Sequence, residues 1–238
     1  MPLKATINYS PNFNIKKRPK KSIKFLIYHY TGMKSETASI KKLTNIQSEV
    51  ASHYLIKKNG EIVIFVPDSY VAWHAGVSAW KKYKFLNQNS IGIEISNPGH
   101  QFGYKKFSLK QVNSLIKLSK FLIKKYKINK KNILGHSDIA PLRKKDPGEN
   151  FPWKYLAKKN IGFWHNLKNN ELNKLRNKKC NKILNNKFFA NLYKIGYSKN
   201  YKKQNEKLLI KAFQRRFRPS LINGIIDQEC LLLSKNLA

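Results

Sequence analysis

Between Gly135 and Gly148 the chain reads GHSDIAPLRKKDPG, which puts a histidine, a lysine and an aspartate into one short stretch. Pro141, Pro147 and Gly148 break helices and strands, so His136, Lys144 and Asp146 are expected on an ordered loop whose side chains can converge. Such a loop can hold a metal. A catalytic zinc site keeps three ligands drawn from His, Asp and Glu and leaves a fourth position to water. His29, His136 and Asp146 make such a set, with His29 near the end of a strand and the other two on the downstream loop. Of the remaining histidines, His100 and His165 lie in turn and linker contexts that add no argument for a role.

Amide hydrolysis at such a site also needs a group to take the proton of the attacking water and another to stabilise the oxyanion. Glu94, between two isoleucines in SIGIEIS, is an acid in a core strand, which is costly unless it faces a cavity. It is the candidate base, and Lys144, two residues before a ligand, is the candidate oxyanion partner. A satisfied buried acid and a solvated lysine are the plainer readings of the same residues. His53 in SHYLI and His74 in AWHAG fit a ligand, a support for a ligand or a substrate contact, and spacing does not choose among these. Trp73 beside His74 offers an aromatic face that suits a sugar or peptide.

The elements that must position these groups follow from periodicity. Residues 22–30 read as a short apolar strand that delivers His29 at its end, and 37–50 has helical spacing. Residues 53–56 and 62–67, separated by KKNG, predict a β-hairpin; 90–96 and 132–134 read as further strands. Residues 108–126 form the clearest helix, with Ser108 as its cap and an apolar stripe from Leu109 to Leu122. The expected fold class is therefore α/β, a mixed central β-sheet flanked by helices. Around Trp164 the composition becomes polar and lysine-rich, suggesting a linker over 166–180, and three short helices beyond it predict a small helical bundle over 181–238 that docks on the first domain.

With 238 residues and 41% hydrophobic content the chain can bury a sizeable core. Its 48 Lys and Arg against 12 Asp and Glu leave a net charge of +36, which attracts polyanions without selecting one. No zinc finger, RRM signature or helix-turn-helix accompanies the charge, so no specific nucleic-acid partner is expected. The two cysteines, Cys180 and Cys230, form no CxxC pair and are expected to be free thiols. The first apolar run, Phe25 to Tyr28, is too short and too far in for a signal peptide, and no stretch approaches a membrane span, so the expected compartment is the cytoplasm, or the periplasm if the recorded start is incomplete.

Seven motifs occur in one order: YHYTG at 28–32, SHYLI at 52–56, AWHAGVSAW at 72–80, SIGIEI at 90–95, GHSDIAP at 135–141, RKKDPG at 143–148 and FPW at 151–153. Together they closely resemble the zinc-dependent N-acetylmuramoyl-L-alanine amidases of the AmpD/AmiD type, over about residues 10–165. The resemblance implies one Zn2+ on His29, His136 and Asp146, with Glu94 as base and Lys144 as oxyanion stabiliser. It also implies hydrolysis of the amide between N-acetylmuramic acid, or its anhydro form, and L-alanine in peptidoglycan fragments. AFQRRFRPSLINGIIDQE, residues 212–229, resembles the peptidoglycan-binding helical module that follows the catalytic domain in AmiD-type enzymes. The competing expectation is a non-catalytic peptidoglycan-recognition protein of the same fold. Such binders typically lack a zinc ligand, whereas all three are present here.

Overall fold

A computed structural model describes residues 4–199 and 202–238. Its centre is a six-stranded mixed sheet in the order Thr6–Ile7, Ile62–Ile64, Tyr54–Ile56, Ser90–Ile95, Phe25–Tyr30, Ile133–Gly135. Only the hairpin of Tyr54–Ile56 with Ile62–Ile64 is antiparallel; the other neighbours run parallel. The hairpin turns at KKNG as its sequence requires.

Period-2 alternation divides the two longest strands cleanly. Leu26, Tyr28, Ile91, Ile93 and Ile95 pack on one face with Leu115, Leu118 and Leu122 of the helix Leu109–Tyr126. That helix begins with a capping box between Ser108 and Gln111, and the Tyr28 hydroxyl meets Ser119 Oγ at 2.8 Å. On the opposite face the register pairs Phe25 with Ser90, Ile27 with Gly92 and His29 with Glu94. Small and polar residues therefore line one strand of that face, and the sheet delivers His29 and Glu94 side by side.

The stretch 166–180 is not a bare linker: Asn169–Leu175 is helical, Leu172 is buried in the core, and Arg176 makes a bidentate pair with Glu229 at 2.7 Å. Polar composition concealed this because the helix contributes little more than one apolar contact. The three expected helices are longer than their apolar runs, spanning Lys182–Ile195, Glu206–Phe217 and Gln228–Leu237. Their core is continuous with the sheet: Phe188, Phe213 and Leu233 share one buried cluster with Phe25, Ile27, Trp80 and Leu134. Gly196, with φ 142°, fits under Trp80, where an added Cβ would lie 2.4 Å from the indole. Cys180 and Cys230 are both free thiols.

Candidate active site

Three adjacent parallel strands end at one place, and the chemistry sits at their C-terminal ends, as is usual for open α/β sheets. His29 is the fifth residue of Phe25–Tyr30, Glu94 the fifth of Ser90–Ile95, and His136 directly follows Ile133–Gly135. The GHSD segment departs from the expected loop in one respect: His136–Ile139 forms a single helical turn, held where Asp138 Oδ2 accepts from the Gly135 backbone N–H at 2.7 Å. The chain then turns back and brings in Lys144 and Asp146.

His29 Nδ1 lies 2.9 Å from His136 Nδ1, and each lies 3.0 Å from Asp146 Oδ2. All three residues are buried, with 1%, 3% and 6% exposure respectively. The outer hydrogen bonds determine which ring nitrogens carry protons. His136 Nε2 faces the Ala75 carbonyl at 3.1 Å, so it donates and Nδ1 is bare. Arg143, 3.3 Å from the same nitrogen, is committed to the Ala75 and Val77 carbonyls. On the other side Ser90 donates to the Leu86 carbonyl at 2.6 Å and so accepts from His74 Nε2 at 3.1 Å. His74 Nδ1 then accepts from His29 Nε2 at 3.0 Å, which leaves His29 Nδ1 bare as well. Two imidazole lone pairs and a carboxylate oxygen thus converge with no proton among them. Three acceptors cannot satisfy one another, and a cation can satisfy all three. Ligand atoms about 2.0–2.1 Å from a tetrahedral zinc lie roughly 3.3 Å apart, close to the spacing seen.

The electrostatics agree. Burial, reinforced by His136, lowers the His29 pKa to about 4 despite Asp146, so the ring is neutral and available as a ligand. Burial opposes charge on Asp146, and the facing His136 and His29 nitrogens hold its pKa well below the usual carboxylate range only while a proton, or a cation in its place, lies between them and Oδ2. Glu94 goes the other way: burial, then the Asp146 charge, raises it to about 8. Its Oε2 has no hydrogen-bond partner although the residue is only 9% exposed. It faces a cavity of about 490 Å³ that is also lined by His29, His74, His136, Lys144 and Asp146.

The expected site residues therefore divide. His29, His136, Asp146, Glu94 and Lys144 share the cavity. His74 reaches its wall, and its hydrogen bonds run to His29 and Ser90, so it orients the His29 ring. His53 is fully buried, accepts from the Gly92 N–H at 3.0 Å and contacts Arg18, away from the cavity. Trp73 donates to Asn14 Oδ1 at 2.6 Å and does not line the cavity either. Neither side chain is brought to this cavity: the SHYLI segment turns His53 toward the Gly92 backbone, and the Trp73 indole is engaged on the Asn14 side. Among the further lining residues, Tyr30 and His100 were not expected as site residues. Tyr30 hydrogen-bonds His100 Nδ1 at 2.9 Å, while His100 Nε2 reaches Glu149 at 3.0 Å. His100 sits in a PGH turn, and only the folded chain brings it beside the motif loop.

A buried base, a three-acceptor cluster and a lysine in one cleft are the parts of a hydrolase. Residues 19–149 match the N-acetylmuramoyl-L-alanine amidase family, more than half of the chain, and the protein belongs to that family of enzymes. It is 36% identical to the N-acetylmuramoyl-L-alanine amidase AmiD of Escherichia coli over 229 residues, 90% of this chain and 82% of that protein. The structure of E. coli AmiD in complex with anhydro-N-acetylmuramic acid-L-Ala-D-gamma-Glu-L-Lys superposes with a TM-score of 0.78 at 35% identity, covering 94% of this chain and 91% of that one. AmpDh3 from Pseudomonas aeruginosa, solved with an anhydromuramic pentapeptide, gives 0.79 at 30% identity over 98% and 97%. Both likenesses span the C-terminal helices as well as the sheet.

Proposed function

We propose that the protein is a zinc-dependent amidase that cuts the bond between the lactyl group of N-acetylmuramic acid, or its anhydro form, and the L-alanine of a bacterial stem peptide. The observation that carries this reading is the convergence of two proton-free imidazole nitrogens and a carboxylate oxygen beside an unpaired buried Glu94. In it, His29, His136 and Asp146 hold the zinc. When bound, the ion supplies a Lewis acid for the carbonyl and lowers the pKa of the attacking water.

The rest belongs to the chain's own side chains. Glu94 takes the water proton at its free Oε2 and returns it to the departing alanine nitrogen. Its raised pKa suits the second step; the first is eased by any positive charge on the three ligands, which offsets the Asp146 charge that helps keep Glu94 protonated. Lys144 faces the same cavity and is assigned to the oxyanion. The residues over 181–238 are assigned as a peptidoglycan-binding-like module, 166–180 as its connection and 10–165 as the catalytic domain. No helix among the described residues is long and apolar enough to cross a membrane. The proposed compartment is the cytoplasm, with its soluble muropeptides, and fractionating cells that make the protein tests it.

The decisive experiment is mass-spectrometric digestion of anhydro-muropeptides beside intact sacculi with the purified chain, before and after chelation and zinc return. Release of an L-alanine-led peptide that stops on chelation and resumes with zinc is the expected result. A preparation that binds zinc yet cleaves neither substrate sinks the reading.

A further inference from the structure

The cleft does not end at Lys144. A second cavity of about 410 Å³ shares His100, Arg143, Lys144 and Lys145 with it and continues to Lys211 and Arg215 of the helix Glu206–Phe217. The far wall of this groove is thus built by that C-terminal helix and the loop after it. Five Lys and Arg side chains line it against one acid, Glu149.

Arg215 is the unusual member. It is only 8% exposed, its Nε has no hydrogen-bond partner, and its ion pair with Glu149 is long at 3.8 Å. Glu149 is engaged elsewhere, with both oxygens within 3.2 Å of His100 Nε2. A buried guanidinium without a close carboxylate is expensive, and its fork geometry matches one. In contrast to Arg143, whose donors are taken up by backbone carbonyls, Arg215 has a donor to give.

We infer that this groove is a carboxylate-binding subsite for the stem peptide, with Arg215 as its anchor and Lys211 and Lys145 as its rim, so that the helix Glu206–Phe217 helps select substrate by charge. The inference rests on the amidase reading, which places the peptide on one side of the scissile bond. A γ-linked glutamate, such as the one in the ligand of the AmiD complex, keeps its α-carboxylate free, and the peptide's last residue carries another. Both offer the same chemistry.

The test uses the full chain and three muramyl tripeptides: the free acid, one amidated on the α-carboxyl of the second residue and one amidated at the C-terminus. KM is read for each, and direct binding of the corresponding free peptides is followed by calorimetry. One of the two amides is expected to raise KM about ten-fold, the scale of a charge-assisted hydrogen bond, and the one that does identifies the carboxylate. Arg215→Gln should erase that preference in both readouts, and Lys211→Gln should weaken it. Equal KM for all three substrates overturns the inference, as does an undiminished preference in a folded Arg215→Gln. If Arg215→Gln fails to fold, Lys211→Gln decides: an unchanged preference overturns the inference. Peptides that bind with an Arg215-dependent preference, in a protein that cleaves nothing, leave the subsite standing and remove the amidase reading.

Discussion

Replacing Arg216 by methionine should destabilise the protein and also weaken the proposed metal site. Arg216 and Asp138 are each about 1% exposed and form a buried ion pair between the helix Glu206–Phe217 and the turn that carries His136. The guanidinium also donates to the Ile133 carbonyl at 3.0 Å and stacks 4.1 Å from the centre of the Trp153 ring. Removing one partner of a buried pair costs about 3–5 kcal/mol, because the other charge is left without compensation. Asp138 would keep its bonds from the Gly135 N–H and the Tyr197 hydroxyl, so the lower end, about 3 kcal/mol, is expected. Urea unfolding of the metal-free protein, followed by tryptophan fluorescence, measures the loss. Adding Asp138→Asn, which removes the stranded charge and keeps an acceptor, should recover at least half of it. Because the same carboxylate shapes the turn before His136, zinc affinity by chelator competition should fall about ten-fold in the single variant. A loss below roughly 1 kcal/mol, the range of an exposed pair, would refute the reasoning, as would a double variant no more stable than the single one.

Other expectations concern the site itself. Glu94→Gln should keep zinc stoichiometry by atomic absorption and lose about 10²–10⁴-fold in kcat, the usual worth of a general base; retained turnover would remove Glu94 from that role. Gly92→Ala puts a Cβ 2.5 Å from the His74 ring, so it should displace His74 from His29 and cut zinc affinity about 10–100-fold, measurable by chelator titration. Stability of the metal-free protein should fall steeply in mild acid. His29, His53 and His74 are buried with pKa values depressed to about 4, to about 3 and well below 6.5, and burial also lowers half-buried His165 to about 4, so unfolding takes up as many as four protons between about pH 6.5 and 4.5, while Glu94, raised to about 8, releases one. The net uptake of two to three protons, with partly exposed His165 counting for less, predicts a loss of about 3–4 kcal/mol per pH unit near pH 5.5, checked by urea midpoints at pH 6.5, 5.5 and 4.5; a flat profile contradicts it.

The local elements were readable because each is dictated by neighbours in the chain. Ser108 and Gln111 cap the long helix, KKNG turns the hairpin, and period-2 alternation marks the strand that carries Glu94. Residues with no local signal were missed or misplaced. The polar segment 166–180 hid a helix whose stability comes from Leu172 and the Arg176–Glu229 pair, contacts made with residues about fifty positions away. His53 and His74 looked alike in sequence. Strand pairing turns one toward Gly92 and sets the other against His29.

The sequence alone determined which residue types are available for chemistry and the strands and loop that carry them. His29, His136 and Asp146 stood out as a possible ligand set and Glu94 as an acid in an apolar strand, which is costly unless it faces a cavity, whereas Lys144 was one lysine among many until the resemblance of RKKDPG to the amidase family marked it. Tertiary structure alone decided the protonation pattern and the extent of the cleft. A bare Nδ1 on His29 depends on His74, Ser90 and the Leu86 carbonyl, which lie 45 or more positions from it in sequence and reach it only in the folded chain. Likewise Arg215, one basic residue among 48, became distinctive only when folding buried it at the end of the GHSDIAPLRKKDPG groove without a close acid. Hydrogen-bond partners and desolvation are properties of positions in space, and one-dimensional spacing does not contain them.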